Sequence, residues 1–283
     1  MLKNRQLAQE GSKSMVGIKN RRWLSNLSLI LMMVFFYLPI VIMIVFSFNE
    51  SRSLSVFQGF SLRWYEQLIN SRDVVDVVWV SVSVAVIATV VSTFVGTLTA
   101  IGLSKSKKIL RDVYLIFNDF PIMNPEIVTA IGWMLLFVVL NITPGYMTML
   151  LAHIAFCTPY VILSILPKLR ALDPNITEAA MDLGATPKEA LTKVIVPQII
   201  PGIISGALIA FTMSIDDFVI SYFVSGNGVK NISILVYNMS KRINPMINAL
   251  STIMVVVIAI VLTIINVAPM LKEKGRKNEK VFD

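Results

Sequence analysis

Residues 172–197 read LDPNITEAAMDLGATPKEALTKVIVP, and their punctuation is that of two short helices joined by a turn. Asp173 followed by Pro174 predicts a helix start, because an Asp side chain accepts from the first free N–H groups and a proline's missing N–H costs nothing at the first helical position. Gly184 predicts the stop, since glycine takes the left-handed conformation that closes many helices. Thr186, Pro187 and Glu189 then occupy the cap, first and third positions of a second helix, the spacing of a capping box. These signals agree with one another, so the segment is expected to be folded. Ala179 and Ala180 allow close approach to a groove, and Glu178 offers an acceptor for a charge-assisted hydrogen bond. A docking element fits this pattern; a helix lying along a membrane surface is the plainer alternative.

Outward from this loop the sequence becomes apolar. Of 283 residues 55% are hydrophobic and 15% charged, against about 25% charged in a typical soluble domain, and the mean hydropathy is +0.74. A bilayer core of about 30 Å needs about 20 apolar residues per helix, and uncharged runs of that size recur, which makes this an integral membrane protein. A lone cysteine, Cys157, has no partner for an internal disulfide, and a lone histidine, His153, builds no multi-ligand zinc site. Both sit in an apolar run and read as packed helix residues. No GxxxxGK[ST] segment occurs, so these residues carry no P-loop for nucleotide hydrolysis.

The runs predict an all-α membrane protein with six transmembrane helices. The first covers Leu24 to Asn49 and the second Val77 to Ser104. Ile127 to Pro167 holds 41 residues without a charged side chain, enough for two spans broken at Asn141-Ile142-Thr143-Pro144-Gly145. The third starts near Val113 and carries Asp119 and Glu126 inside it; the fifth runs from about Val194 to Val224 and the sixth from about Ile247 to Leu271. The first run is too long for a cleaved signal and lacks a cleavage site, so it is expected to be retained. With these spans, 19 Lys and Arg fall on the side holding both termini and the 173–197 loop, and 6 on the other. The positive-inside rule then places both termini in the cytoplasm. The net charge of +8 is thus an orientation signal and not a nucleic-acid footprint. The expected domains are a cytoplasmic segment 1–23, a six-helix domain 24–271 containing the loop, and a basic cytoplasmic tail 272–283.

Glu178-Ala179-Ala180, three residues, Gly184, nine residues, then Val194-Ile-Val-Pro197 resembles the EAA loop of ABC-importer permeases, E-A-A-x3-G-x9-I-x-L-P. Valine stands for the usual Ile and Leu and keeps the apolar character. The resemblance implies a type I ABC importer permease fold whose loop, through Glu178, Ala179, Ala180, Gly184 and Pro197, docks on a separate ATPase subunit and passes its closure to the pore. PEIV at 125–128, SIDDFVISYFVSG at 214–226, NALSTI at 248–253 and the external FQGFSLRWY at 57–65 look like the C-type subunits of the spermidine/putrescine group. That likeness covers roughly residues 24 to 272. Permeases for phosphonate, thiamine or ferric iron share much of the layout and are the alternative substrates.

A charge near the bilayer centre costs about 2.5–3.5 kcal/mol on insertion scales, so membrane carboxylates need a reason. The candidates are Asp119, Glu126, Asp216 and Asp217. Asp119, Glu126 and Trp133 are spaced by seven, which stacks them on one face of a continuous helix, unless Pro121 and Pro125 break it. Carboxylates suit the ammonium groups of a polyamine, and Trp133 suits the cation or its methylene chain. Pairing with groups on neighbouring helices, which only holds the bundle together, is the competing role. Asp216 and Asp217 point about 100° apart on a helix and are not expected to share one role. Gly202 and Gly206 predict close helix packing. Trp64, Tyr65, Leu68 and Ile69 outline one face of a short external helix.

The expected function is a non-enzymatic permease subunit of an ATP-driven polyamine importer in the cytoplasmic membrane. It takes no cofactor of its own, since ATP belongs to the partner. Its expected partners are an ATPase dimer, a second homologous permease, an extracytoplasmic polyamine-binding protein and membrane lipid. An ion-coupled secondary transporter with carboxylate relays is the rival from another class.

Overall fold

The computed structural model describes residues 2–53, 56–241, 244–260 and 263. The elements in order are α1 (Leu2–Phe46), α2 (Arg63–Asn70), α3 (Arg72–Lys105), α4 (Lys108–Met123), α5 (Glu126–Val139), α6 (Tyr146–Arg170), α7 (Ile176–Asp182), α8 (Pro187–Glu189), a π-helical turn (Ala190–Ile195), α9 (Val196–Asp216), α10 (Val219–Val224) and α11 (Ile232–Lys241), followed by α12 (Met246–Ile260). Among the described residues the only β-type pairing is one isolated bridge, Asn49 to Phe60.

Four helical stretches are long and apolar enough to cross a membrane: Ser25–Phe46, Arg72–Lys105, Tyr146–Arg170 and Pro187–Asp216. The pair α4 and α5 makes a fifth only if counted together, because the two meet at 105°. The cause is Pro125, which biases Asn124 away from helical geometry and stands as the cap of α5. The expected third span is therefore two helices, broken at the second of the two prolines that the sequence offered as a break. The end of the expected sixth span and the tail 272–283 lie outside the described residues.

The chain divides into two compact units. In the unit Ser71–Lys241, α3, α6 and α9 pack on one another. In lipid the helices gain little from hydrophobic transfer, so association rests on close contact and hydrogen bonds. The buried stripe of α3 is accordingly small: Ser81, Ala85, Ala88, Ser92, Gly96 and Ala100 recur every three or four residues. That of α9 runs Ile199, Gly202, Gly206, Ala210 and Ser214. Both lie against α6, whose buried side chains occupy more than one face. A Cβ placed on Gly202 would lie 2.9 Å from Lys168 Cγ, and one on Gly206 3.2 Å from Val161 Cγ1, so the expected tight packing of these glycines is present. Gly96 does the same from α3. The break between α5 and α6 falls at the expected place, with Asn141 at φ +53°, a conformation asparagine tolerates better than most residues.

In the other unit, Asn49 organises the stretch between α1 and α2. Its amide donates to Ser53 O and Val56 O at 3.0 and 2.8 Å, and its backbone carbonyl accepts from Trp64 Nε1 at 2.7 Å. Trp64 and Leu68 are each 2% exposed, whereas Ile69 is 74% exposed. Four residues separate Trp64 from Leu68, one helical turn, and Ile69 falls about 100° further round.

Candidate functional site

The loop that follows α6 is held almost wholly by its own chain. Asp173 Oδ1 accepts from Asn175 N at 2.9 Å, an Asx turn, and α7 begins at Ile176 with Asn175 as its cap. The helix thus starts two residues later than Asp173-Pro174 suggested, because the Asp side chain closes a turn before it. Gly184, at φ +91°, ends the helix as expected: its N–H bonds Met181 O at 2.8 Å, and Ala185 N–H bonds Ala180 O at 3.1 Å, both bonds of a Schellman closure.

The capping box is also present. Thr186 N–H donates to Glu189 Oε2 at 3.0 Å and Glu189 N–H to Thr186 Oγ1 at 3.3 Å. Lys193 Nζ lies 2.8 Å from Glu189 Oε1. The Lys193 ammonium and the Thr186 donors pull the Glu189 carboxyl down to about 2. Beyond α8 the helix does not stop; it widens into the π-helical turn, where Val196 N–H bonds Leu191 O five residues back. Pro197 follows at once, with no N–H for the Lys193 carbonyl and a ring that crowds it. Short α8, the π turn and α9 are therefore one continuous rod from loop to membrane.

Of the five expected coupling residues, Glu178, Ala179, Gly184 and Pro197 are exposed and Ala180 is half-buried. Leu183 beside them is 91% exposed. Reading the loop for its EAA spacing did not single this leucine out.

The expected substrate-path residues are partly gathered. Glu126 opens α5 and lies within electrostatic reach of Asp217 and Asp216 and of Tyr160 on α6. Glu126 and Asp216 are exposed, and Asp217 is 7% exposed. Asp119 sits apart on α4, across the 105° bend, with Asn118 Nδ2 donating to it at 3.3 Å. The seven-residue spacing therefore does not put it on one face with Glu126 and Trp133. Trp133 is half-buried against the core, its ring 5.7 Å from that of Phe137.

Asp217 is enclosed by its own chain. Its carboxylate accepts from Ile220 N at 3.2 Å and from Ser221 N and Ser221 Oγ at 2.8 Å each. Asn231 Nδ2 donates to the Asp217 carbonyl at 2.8 Å and to Ser221 Oγ at 2.8 Å. The imidazole of His153 completes the knot, 3.4 Å from Asp217 Oδ2. One bond extends the tie to α3, where Ser81 Oγ accepts from Ile232 N at 2.7 Å. His153 is thus more than a packed helix residue, and Asn231 carried no signal in a polar loop. Two clues to the knot lay in the sequence: a lone histidine in an uncharged run, and a membrane carboxylate, Asp217, for which pairing with a neighbouring helix was the competing role. Among the described residues no group of three or more His, Cys, Asp or Glu side chains is placed to hold a metal.

Comparison with known proteins bears on both regions. The profile of the family described as binding-protein-dependent transport system inner membrane component matches residues 92–271. The chain is 37% identical to the spermidine/putrescine transport system permease protein PotC of Haemophilus influenzae, over 84% of this chain and 93% of that one. It is also 37% identical to the putrescine transport system permease protein PotI of Escherichia coli K12, over 82% and 86%. In fold it resembles a chain of a bacterial ABC transporter involved in import of the acidic polysaccharide alginate, with a TM-score of 0.62, 17% identity, and 92% and 97% of the two chains covered.

Proposed function

The chain belongs to the binding-protein-dependent transport system inner membrane component family, and from that membership we propose that it is a pore subunit of an ATP-driven importer of polyamines such as spermidine and putrescine. It is a transport component, not an enzyme. The observation that carries the reading is the loop after α6. Its backbone is closed by a Schellman turn and a capping box, while Glu178, Ala179 and Leu183 stay uncovered. Such a surface receives a partner without refolding. The partner is an ATPase dimer, which binds the ATP; this chain holds no cofactor.

In this reading a second homologous permease completes the pore, and an extracytoplasmic binding protein delivers the polyamine. ATPase closure pushes on α7 and α8. Because α8, the π turn and α9 are continuous, that push enters the bundle along α9. Asp216 and Glu126 offer exposed carboxylates to the passing ammonium groups; Asp217 instead holds the chain in place. The charge split of 19 to 6 supports six spans with both termini and the loop in the cytoplasm. It also supports the division into a cytoplasmic segment 1–23, a permease domain 24–271 and a basic tail 272–283.

The test is uptake of labelled spermidine and putrescine by cells carrying the whole transport system, with and without this chain. Uptake that needs the chain and ATP, and is competed by polyamines but not by phosphonate, thiamine or iron, is the expected result. A complex that assembles with its ATPase yet moves no polyamine overturns the substrate. Uptake that survives ATP depletion while the proton gradient is held overturns the importer.

A further inference from the structure

His153 lies in the first third of α6 and is 1% exposed, with both ring nitrogens engaged. Nδ1 is 2.7 Å from Ser214 Oγ on α9, and Nε2 is 2.9 Å from Ser221 Oγ on α10. The proton positions follow from valence. An ionised carboxylate only accepts, so the Ser221 hydroxyl gives its single proton to Asp217 Oδ2. The Ser221 oxygen then offers lone pairs alone to its two other neighbours, and both Asn231 Nδ2–H and His153 Nε2–H donate to it. The other ring nitrogen, Nδ1, pairs with the Ser214 hydroxyl at 2.7 Å. Ile220 N–H, Ser221 N–H and Ser221 O–H are thus spent on the Asp217 carboxylate, and His153 and Asn231 hold the Ser221 oxygen in turn.

The knot sits at a break in the chain. Helix α9 ends at Asp216, Asp217 is extended at φ −62° and ψ 126°, and α10 begins two residues on. Two adjacent aspartates leave this break differently: Asp217 is drawn inward among α6, α9 and α10, and Asp216 is left exposed within electrostatic reach of Glu126. Beyond helix α9 itself, the Asp216 carbonyl accepts a long hydrogen bond from Ser233 Oγ at 3.3 Å. What fixes the direction of Asp216 is therefore the anchoring of its neighbour.

We propose that His153 is a positioning residue for cation transfer: by holding Asp217 inward it sets the α9–α10 break and aims the Asp216 carboxylate at the ammonium group handed into the pore. This rests on the polyamine-importer reading above. His153 touches no substrate, and its effect passes through Asp216. Loss of the knot leaves the ATPase docked and cycling while the cation is caught poorly, so ATP is spent without import.

The experiment uses the whole complex in proteoliposomes with its binding protein, and reads spermidine import and ATP hydrolysis together. His153→Phe keeps an aromatic ring and removes both polar atoms; His153→Gln keeps a donor and an acceptor. In His153→Phe, import is expected to fall about tenfold or more, the scale of losing hydrogen bonds to a charged group, with ATP hydrolysis within about twofold of the parent. His153→Gln recovers part of the import. Asp216→Asn shows the same uncoupling, and the double variant is no worse than Asp216→Asn alone, because residues acting through one another are not additive. Parallel falls in import and hydrolysis, additive losses, or failure of both His153 variants to assemble would each make His153 a structural residue and overturn the proposal. A parent complex that assembles and moves no spermidine instead overturns the polyamine reading, which separates the two failures.

Discussion

The coupling loop and the polar knot solve the same problem with opposite means. Each orders a stretch of non-helical backbone at one end of α9. The loop does so with partners two to five residues away: Asp173 to Asn175, Ala180 to Ala185, Thr186 to Glu189, Glu189 to Lys193. The knot draws partners 61 and 68 residues from His153. The loop is polar, exposed and closed by bonds that water competes with; the knot is buried, where an unpaired donor costs about 1–3 kcal/mol. A surface held by local bonds keeps its shape with its outer face bare, which a docking element needs. A junction held by distant parts of the chain is rigid only when the whole bundle is assembled.

The contrast predicts where substitutions bite. The largest effect is expected in the knot: Asp217→Ala strands the Ile220 N–H and the Ser221 N–H and O–H donors and costs about 3 kcal/mol of stability, read as a drop in the thermal midpoint of the purified complex. An unchanged midpoint would mean that the buried carboxylate is not what holds the break. Next comes Glu178→Lys on the bare face of α7, which should cut uptake at least about tenfold by placing a cation at the docking surface, while insertion and thermal midpoint stay as they were. Normal uptake and normal copurification of the ATPase would remove the loop from the docking role.

Smaller effects sharpen the difference. Thr186→Ala removes one cap and is expected to cost about 1 kcal/mol locally, visible as faster amide exchange in residues 186–189 with little change at Ser221. Exchange that rises equally at both ends would show that the two regions are not independent. Smallest of all is the response to pH. Because the Glu189 carboxyl is held at about 2, against its ordinary 4.5, its contribution is complete above 4.5 and fades only as pH falls towards 2. The protection factor of the Thr186 amide should therefore be the same at pH 8 and pH 5.5.

The difference in range also explains what could be read from the sequence. Gly184, Thr186 and Glu189 announce their roles because helix ends are decided by residues within one turn of each other. The uncharged runs announce the spans for the same reason. Asp173-Pro174 misled by two residues, since an Asp that can cap a helix can equally close a turn before it. The 105° bend between α4 and α5 decides what the sequence left open at Pro121 and Pro125, since spacing by seven stacks residues only where the helix is continuous. The knot was beyond reach: nothing near His153 in sequence points to Ser214, Ser221 or Asn231. The tight approach of α3 to α6 through Gly96 was missed for the same reason.

Val161 is met from two sides. A Cβ on Gly96 of α3 would lie 2.7 Å from its Cγ1, and a Cβ on Gly206 of α9 3.2 Å from the same atom. One valine of α6 is thus the spacer for three helices, wedged between two surfaces that have no side chain with which to follow it. If either glycine surface backed away, a void would open that neither could fill, and contact would be lost outright. The three rods are geared without backlash. A displacement delivered to α9 at its loop end reaches α3 in the same stroke.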